Sequence, residues 1–244
     1  MHIVDHVFIL LLVLVYPVYS AWSYHREVRK IEEGKPANRM ALYRSTVIVE
    51  WLALAVLFIA WNFLERPFSS LGFVAPGGAG FYAGIVLLAI TCVILIRQWS
   101  AVDQLSDEVR QEQITALGKL VHFLPHSQRE LRAVYGMSLT AGIVEEIVYR
   151  GFFMWYLALS MPMWAAAIMS SVAFGIAHSY QGTAGVVKCG VVGLAFAALY
   201  MLTGSIWLPM IGHFLFDALQ GPAIYRLLKG RDAAKNAAKN AATA

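Results

Sequence analysis

GIVEEIVYRG, residues 142–151, places Glu145, Glu146 and Arg150 inside a run that otherwise has the composition of a membrane-buried helix. A charged side chain at the centre of a bilayer costs at least ~2.5–3.5 kcal/mol on insertion scales. Charged side chains in such a helix are therefore expected to face other helices or a cavity rather than lipid. The stretch predicts a helix bundle with a polar site in its interior.

The composition of the whole chain also indicates a membrane setting. Of its 244 residues, 59% are hydrophobic and only 14% are charged, whereas a soluble domain carries roughly 25% charged residues. A helix needs about 20 apolar residues to cross a bilayer. We therefore predict an all-α, polytopic membrane protein with about seven transmembrane helices. The predicted spans are 3–22, 44–64, 79–97, 133–159, 162–178, 183–203 and 205–227.

Basic residues alternate between the predicted loops. Segments 23–44 and 97–132 and the C-terminal tail hold most of the 19 Lys and Arg residues. The positive-inside rule assigns these segments to the cytoplasm, with the N-terminus outside and the C-terminus inside. The first span has no basic region before its apolar core, so we expect an anchor rather than a cleaved signal peptide.

The composition divides the chain into parts with different predicted roles. Residues 1–97 read as scaffold helices that are nearly free of polar groups, apart from Glu50 at a cytoplasmic end. Residues 98–130 form a polar, amphipathic cytoplasmic segment, and residues 229–244 form a low-complexity polar tail. Residues 131–228 combine many small residues with deep ionisable groups, which predicts a tight catalytic bundle. The expected apolar side of the amphipathic segment consists of Leu105, Val109, Ile114 and Leu117.

Residue spacing separates the three charges of the opening stretch. Glu146 and Arg150 are four positions apart on a helix, which predicts a structural ion pair. Glu145 points about 100° away from Glu146 and is free to face a cavity.

Later spans supply groups that complement Glu145. His178 ends one span, while His213 and Asp217 lie one turn apart on another, so the carboxylate is expected to orient the imidazole. In this interpretation Glu145 takes a proton from a water that His178 also holds, and the water attacks a carbonyl. His213 then stabilises the developing oxyanion.

EEIVYR at 145–150, FGIAH at 174–178 and HFLFD at 213–217 resemble the three motifs of the CPBP family. This family contains the CAAX-prenyl-protease and bacteriocin-processing (Abi) group of glutamic intramembrane proteases. The resemblance covers roughly residues 133–220. It implies metal-free water activation by the first motif glutamate and the first motif histidine, and an oxyanion site at the third motif.

Those roles fall on Glu145, His178, His213 and Asp217. Because an ionised aspartate cannot donate a hydrogen bond, we expect Asp217 to orient His213 rather than to contact the oxyanion.

The predicted partners are a peptide or membrane-anchored protein substrate and the lipid bilayer. Compact size and the family resemblance suggest a bacterial inner membrane. Nucleic-acid binding is not expected, because the basic loops mix both signs of charge. No cofactor is expected.

The sequence leaves three alternatives open. Glu145, His178 and His213 could hold zinc in a catalytic site, although the chain has no HExxH motif. Deep Glu, His and Asp residues also occur in proton-coupled transporters. A bacteriocin-immunity or binding protein that does not cleave its partner would have the same sequence features.

Overall fold

The protein is helical throughout the part of the chain that the structure describes. The computed structural model describes residues 1–243, and the side chains of residues 1–230. No strand occurs in these residues, so the predicted all-α class is confirmed. The α-helices are α1 (Ile3–Leu10), α2 (Tyr16–Glu32), α3 (Arg39–Phe63), α4 (Gly78–Ala101), α5 (Asp107–Ala116), α6 (Gln128–Glu146), α7 (Met154–Ala158), α8 (Met163–Ala177), α9 (Gly182–Thr203) and α10 (Trp207–Thr243). The π-helical turns Leu11–Val15 and Ile147–Phe153 join α1 to α2 and α6 to α7.

The long helices coincide with the predicted spans, but the number of membrane crossings is supported only in part. Within the described residues, four helical segments are long and apolar enough to cross a membrane. These segments are Ile3–Glu32, Arg39–Phe63, Gly78–Gln104 and Ser179–Thr203. Helix α8 is apolar but has only 15 residues, and α6 and α10 carry the ionisable groups of the site. The count of seven crossings stays a prediction.

Ion pairs sort the helix ends into two layers. The pairs at one end are Lys119–Glu32, Arg39–Glu130 and Arg226–Asp103. At the opposite end, Arg66 binds both carboxylate oxygens of Asp5, at 2.6 and 2.8 Å. Because Arg39 begins α3 and Glu130 lies in the first turn of α6, these two helices start at the same end and run parallel. This grouping of charges agrees with the alternation of basic loops in the sequence.

The largest buried cluster surrounds the π-helical turn Ile147–Phe153, in which every residue is buried. Phe152 packs edge-to-face against Phe8 of α1 and Trp61 of α3, with ring centroids 5.2 and 6.3 Å apart. Arg150 belongs to the same turn, so the apolar core fixes the position of a charged group.

Glycines let the helices that carry the site approach one another closely. A Cβ added at Gly142 of α6 would lie 2.8 Å from the backbone nitrogen of Phe214 and 2.9 Å from the carbonyl oxygen of Met210, both in α10. A Cβ added at Gly175 of α8 would lie 2.5 Å from the carbonyl oxygen of Val186 in α9. Small residues at such contacts are how helices associate in lipid, where packing replaces the hydrophobic effect.

Replacing Gly142 with alanine is expected to push α6 away from α10 and to lower the stability of the bundle. The new Cβ would meet backbone atoms, and overpacking of this kind typically costs about 1–3 kcal/mol. Gly136 in the same helix is the matched control, because a Cβ there meets no atom within 4 Å. Thermal unfolding in detergent micelles measures both variants. A Gly142→Ala protein that unfolds at the same temperature as Gly136→Ala would contradict the close approach.

The segment between α4 and α6 does not form one continuous amphipathic helix over residues 98–130. It consists of α5 flanked by the 3₁₀ turns Val102–Gln104 and Gly118–Phe123. Leu105, Ile114 and Leu117 pack against Leu227 and Leu228 of α10. Val109 is 41% exposed and lies outside this contact, so it does not belong to the packed side. In the predicted polar tail 229–244, the side chains after Gly230 lie outside the described residues.

Candidate active site

The two glutamates of the opening stretch lie at the C-terminal end of α6, directly before the π-helical turn. Glu146 is fully buried, whereas the side chain of Glu145 is 15% exposed. Since neighbouring helical residues point about 100° apart, Glu146 faces the bundle interior while Glu145 faces a cavity. Turns with π-helical geometry are frequent at functional sites.

Glu146 and Arg150 form an ion pair. Nη1 of Arg150 lies 2.8 Å from Oε1 of Glu146, and the two side chains are 1% and 0% exposed. Nη2 of Arg150 donates to the carbonyl oxygen of Gly193 at 2.9 Å, and the guanidinium lies 4.6 Å from the ring centroid of Phe174. A buried ion pair requires good geometry and further hydrogen bonds to offset its desolvation. Arg150 therefore joins its own turn to α8 through the ring of Phe174 and to α9 through the carbonyl oxygen of Gly193.

His213 is held by Glu146, not by Asp217. Nδ1 of His213 lies 2.7 Å from Oε1 of Glu146, whereas Nε2 lies 3.7 Å from Oδ2 of Asp217, which is beyond hydrogen-bonding distance. The spacing of four places His213 and Asp217 on one face of α10, but α6 supplies the closer carboxylate. The ring of Phe196 stacks on His213 with a centroid distance of 5.1 Å and also fixes the imidazole plane.

Hydrogen bonds determine which ring nitrogen of each histidine faces the cavity. Nδ1 of His178 lies 2.8 Å from the carbonyl oxygen of Phe174. Carbonyl and carboxylate oxygens accept hydrogen bonds, so Nδ1 must donate in His178 and, toward Glu146, in His213. Nε2 is then the atom left for the cavity in both rings. A neutral His178 presents an acceptor there, while His213 presents a donor once it is protonated.

A cavity of about 490 Å³ is lined by all the residues predicted to be catalytic, which are Glu145, His178, His213 and Asp217. Nε2 of His213 lies 3.7 Å from Oε2 of Glu145 and 3.7 Å from Oδ2 of Asp217, so it stands between two carboxylates. Asp217, with 36% of its side chain exposed, is the more accessible of the two. The cavity reaches the basic end of the bundle, where Leu117 and Phe123 line it.

The residues predicted to be catalytic lie in a part of the chain that matches the model of a known family. Residues 127–219 match the model of the family described as Type II CAAX prenyl endopeptidase Rce1-like. These residues resemble that family. The match confirms the resemblance to the CPBP family that the three motifs indicated. No match was found among curated proteins or among solved structures.

The Rce1-like family implies membrane proteolysis of the CAAX type in general. The long apolar helices agree with this activity and, with the family match, identify an integral membrane protein. A peptide substrate and a surrounding bilayer fit both findings. The Rce1-like segment spans α6 to the first part of α10, so α2 and α3 contribute to the cavity from outside it.

Glu50 of α3 lies outside the Rce1-like segment and lines the same cavity. The sequence predicts a scaffold helix with Glu50 at its end, but the residue is only 8% exposed and its Oε2 atom has no hydrogen-bond partner. One signal in the sequence pointed to it. A carboxylate in an apolar run is costly, which applies to Glu50 as much as to Glu145.

Proposed function

We propose that the protein is an intramembrane endopeptidase of the CPBP type that hydrolyses a peptide bond in a membrane-associated peptide or protein tail. The observation that carries this proposal is the cavity that gathers Glu145, His178 and His213 from α6, the end of α8 and α10. A carboxylate, an imidazole acceptor and an imidazolium donor around one space are the groups that water-mediated peptide hydrolysis requires.

Glu145 and His178 activate the attacking water in this proposal. The carboxylate of Glu145 takes a proton from the water while Nε2 of His178 accepts its second hydrogen bond. The resulting hydroxide attacks the carbonyl carbon of the substrate. When the tetrahedral intermediate collapses, the carbon–nitrogen bond breaks, and the protonated Glu145 returns its proton to the leaving amine.

His213 stabilises the oxyanion. Its Nδ1 atom donates to Glu146 at 2.7 Å, so its Nε2 atom can donate only when the ring is an imidazolium. In this proposal the charged ring lies among carboxylates, with Glu146 at 2.7 Å and Glu145 and Asp217 each at 3.7 Å. Asp217 lies 3.7 Å from this ring. At that distance it acts as a neighbouring charge and does not orient the ring through a hydrogen bond. An imidazolium donor is strongest where charge develops in a water-excluded site.

The proposed membrane arrangement has seven crossings, with the N-terminus outside and the C-terminus in the cytoplasm. Two observations support it. Ion pairs gather the basic loops at one end of the bundle, and α3 runs parallel to α6, as two outward-going spans would. The cavity reaches this basic end, so a substrate would enter from the cytoplasmic side of a bacterial inner membrane.

Hydrolysis is expected to continue in the presence of a chelator. Within the described residues, no group of three or more His, Cys, Asp or Glu side chains is arranged to hold a metal ion. The proposed mechanism assigns proton transfer to Glu145 and charge stabilisation to His213. We therefore expect activity in excess EDTA to stay within about twofold of the untreated rate. A loss of activity that added zinc reverses would overturn the metal-free mechanism in favour of a zinc site.

The proposed activity can be tested with purified protein in phosphatidylcholine vesicles. A pool of short N-palmitoylated peptides with randomised sequences serves as substrate, and mass spectrometry identifies the products. We expect cleavage by the wild-type protein and by Glu112→Gln, which changes an exposed carboxylate outside the cavity. Glu145→Gln should yield no products above background. A non-cleaving immunity protein or a transporter would release no products with any variant.

A further inference from the structure

The cavity has an acidic lining that proton transfer and oxyanion stabilisation do not account for. The acidic residues in it are Glu27, Glu50, Glu145 and Asp217. Glu27 is neutralised outside the site by Lys30 and Arg26. Among the described residues that line the cavity, Lys188 is the single Lys or Arg, and it is exposed. The interior of the cavity therefore has a surplus of carboxylates over cationic side chains.

Glu50 is the carboxylate in this lining to which the proposed mechanism gives no part. It is 8% exposed, and its Oε2 atom is buried without a hydrogen-bond partner. Up to Gly230, where the described side chains end, the other buried side-chain atoms in this condition belong to Trp99, Glu146 and Tyr149, and none of these residues lines the cavity. A buried polar atom without a partner is costly unless something pairs with it. Glu50 differs from these three residues because it lines the cavity that a substrate would occupy.

The fold holds Glu50 toward the cavity. Thr46, one helical turn before it, lines the same cavity and so lies on the same face of α3. Nε1 of the next residue, Trp51, donates to Oγ1 of Thr140 in α6 at 3.2 Å. This bond joins α3 to the helix that carries Glu145 and restrains rotation of α3. Glu50 is thus presented by a fixed helix face rather than by a mobile loop.

We propose that Glu50 is a specificity-determining residue that binds a cationic side chain, Lys or Arg, of the peptide substrate. This inference rests on the proposed function and names the substrate class of the same site. A cation that also donates hydrogen bonds is the partner that stabilises the ionised form of a buried carboxylate. Glu145 and Asp217 line the same cavity, so their charges add to the attraction for a basic side chain over a neutral amide.

The randomised peptide pool also tests the specificity of the site. Products of the wild-type protein should be enriched in Lys or Arg at one fixed distance from the cleaved bond. In Glu50→Gln, which keeps the shape and removes the charge, cleavage should continue while this enrichment falls by about tenfold or more. Glu112→Gln should keep the wild-type preference. Equal enrichment in Glu50→Gln and wild type, or no basic preference in wild type, would overturn the inference and leave the proposed peptidase intact.

If no peptide is cleaved, the proposed function fails, and a binding assay still tests the cation site at Glu50. The probes are a fluorescent palmitoylated Ala-rich peptide with one Lys and its norleucine counterpart. The Lys peptide should bind Glu145→Gln about tenfold more tightly than the norleucine peptide does, and this difference should vanish in Glu145→Gln/Glu50→Gln. Equal binding of both probes to Glu145→Gln would reject a cation site at Glu50. Thermal unfolding of each variant checks that the bundle is intact.

Discussion

Replacing Glu145 with glutamine is expected to lower kcat for peptide hydrolysis by about 10²–10⁴-fold, the contribution typical of a positioned general base. Glutamine has nearly the same shape but cannot take a proton from water. The side chain is 15% exposed and faces the cavity, so the substitution leaves the packed core untouched. Steady-state hydrolysis in vesicles measures the effect, with a peptide selected from the pool as substrate.

Glu112→Gln is the control for the Glu145 substitution, because it makes the same chemical change on an exposed residue away from the cavity. Its kcat should match the wild-type value. Both variants should unfold at the wild-type temperature. Retention of wild-type kcat by Glu145→Gln would exclude Glu145 as the base and would require another group to activate the water.

Replacing Arg150 with methionine is expected to destabilise the bundle by about 3–5 kcal/mol, the cost typical of breaking a buried ion pair from one side. Arg150 is 1% exposed and contacts both Glu146 and the carbonyl oxygen of Gly193. Methionine has similar length, so little of the loss should come from volume. The carboxylate of Glu146 would be left buried with His213 as its remaining partner, and the carbonyl of Gly193 would lose a donor.

Arg226→Met provides the matched comparison for Arg150→Met. Arg226 also pairs with a carboxylate, Asp103 at 2.6 Å, but the two side chains are 41% and 60% exposed. Exposed pairs contribute about 0–1 kcal/mol. In detergent, Arg150→Met should therefore unfold at a temperature several degrees below that of Arg226→Met. If the two substitutions lower the unfolding temperature equally, the buried pair contributes no more to stability than the exposed pair.

Glu146 contacts the proposed oxyanion-binding residue as well as its ion-pair partner. The sequence predicts that Glu146 and Arg150 form a structural pair and that Glu145 is the catalytic carboxylate. In the structure Oε1 of Glu146 contacts both Arg150 at 2.8 Å and Nδ1 of His213 at 2.7 Å. The buried pair is thus coupled to the orientation of the residue proposed to bind the oxyanion. Substitutions of Glu146 should change activity as well as stability.

Local features of the fold and of the site were accessible from the sequence. Apolar runs of about 20 residues place the long helices because the bilayer sets their length. The spacing of four residues gives the Glu146–Arg150 contact because helical geometry alone fixes it. The same rule places His213 and Asp217 on one face, although the atoms remain 3.7 Å apart.

Features that depend on tertiary packing were not accessible. The contact between Glu146 and His213 joins residues 67 positions apart, and it exists because Gly142 lets α6 approach α10. The π-helical turn after Glu146 leaves no marker in a pattern that reads as continuous apolar helix. Glu50 stood alone in its span, and only the parallel packing of α3 and α6 brings it to the cavity.

The most direct test of the account compares the membrane peptides of cells that express wild-type protein with those of cells that express Glu145→Gln at equal levels. Mass spectrometry identifies the new peptide N-termini in the membrane fraction of each cell type. Peptide hydrolysis by this site predicts a set of membrane-associated cleavage products that appear with wild-type protein and with Glu112→Gln but are absent with Glu145→Gln. Identical sets of products in wild-type and Glu145→Gln cells would contradict proteolysis by this site.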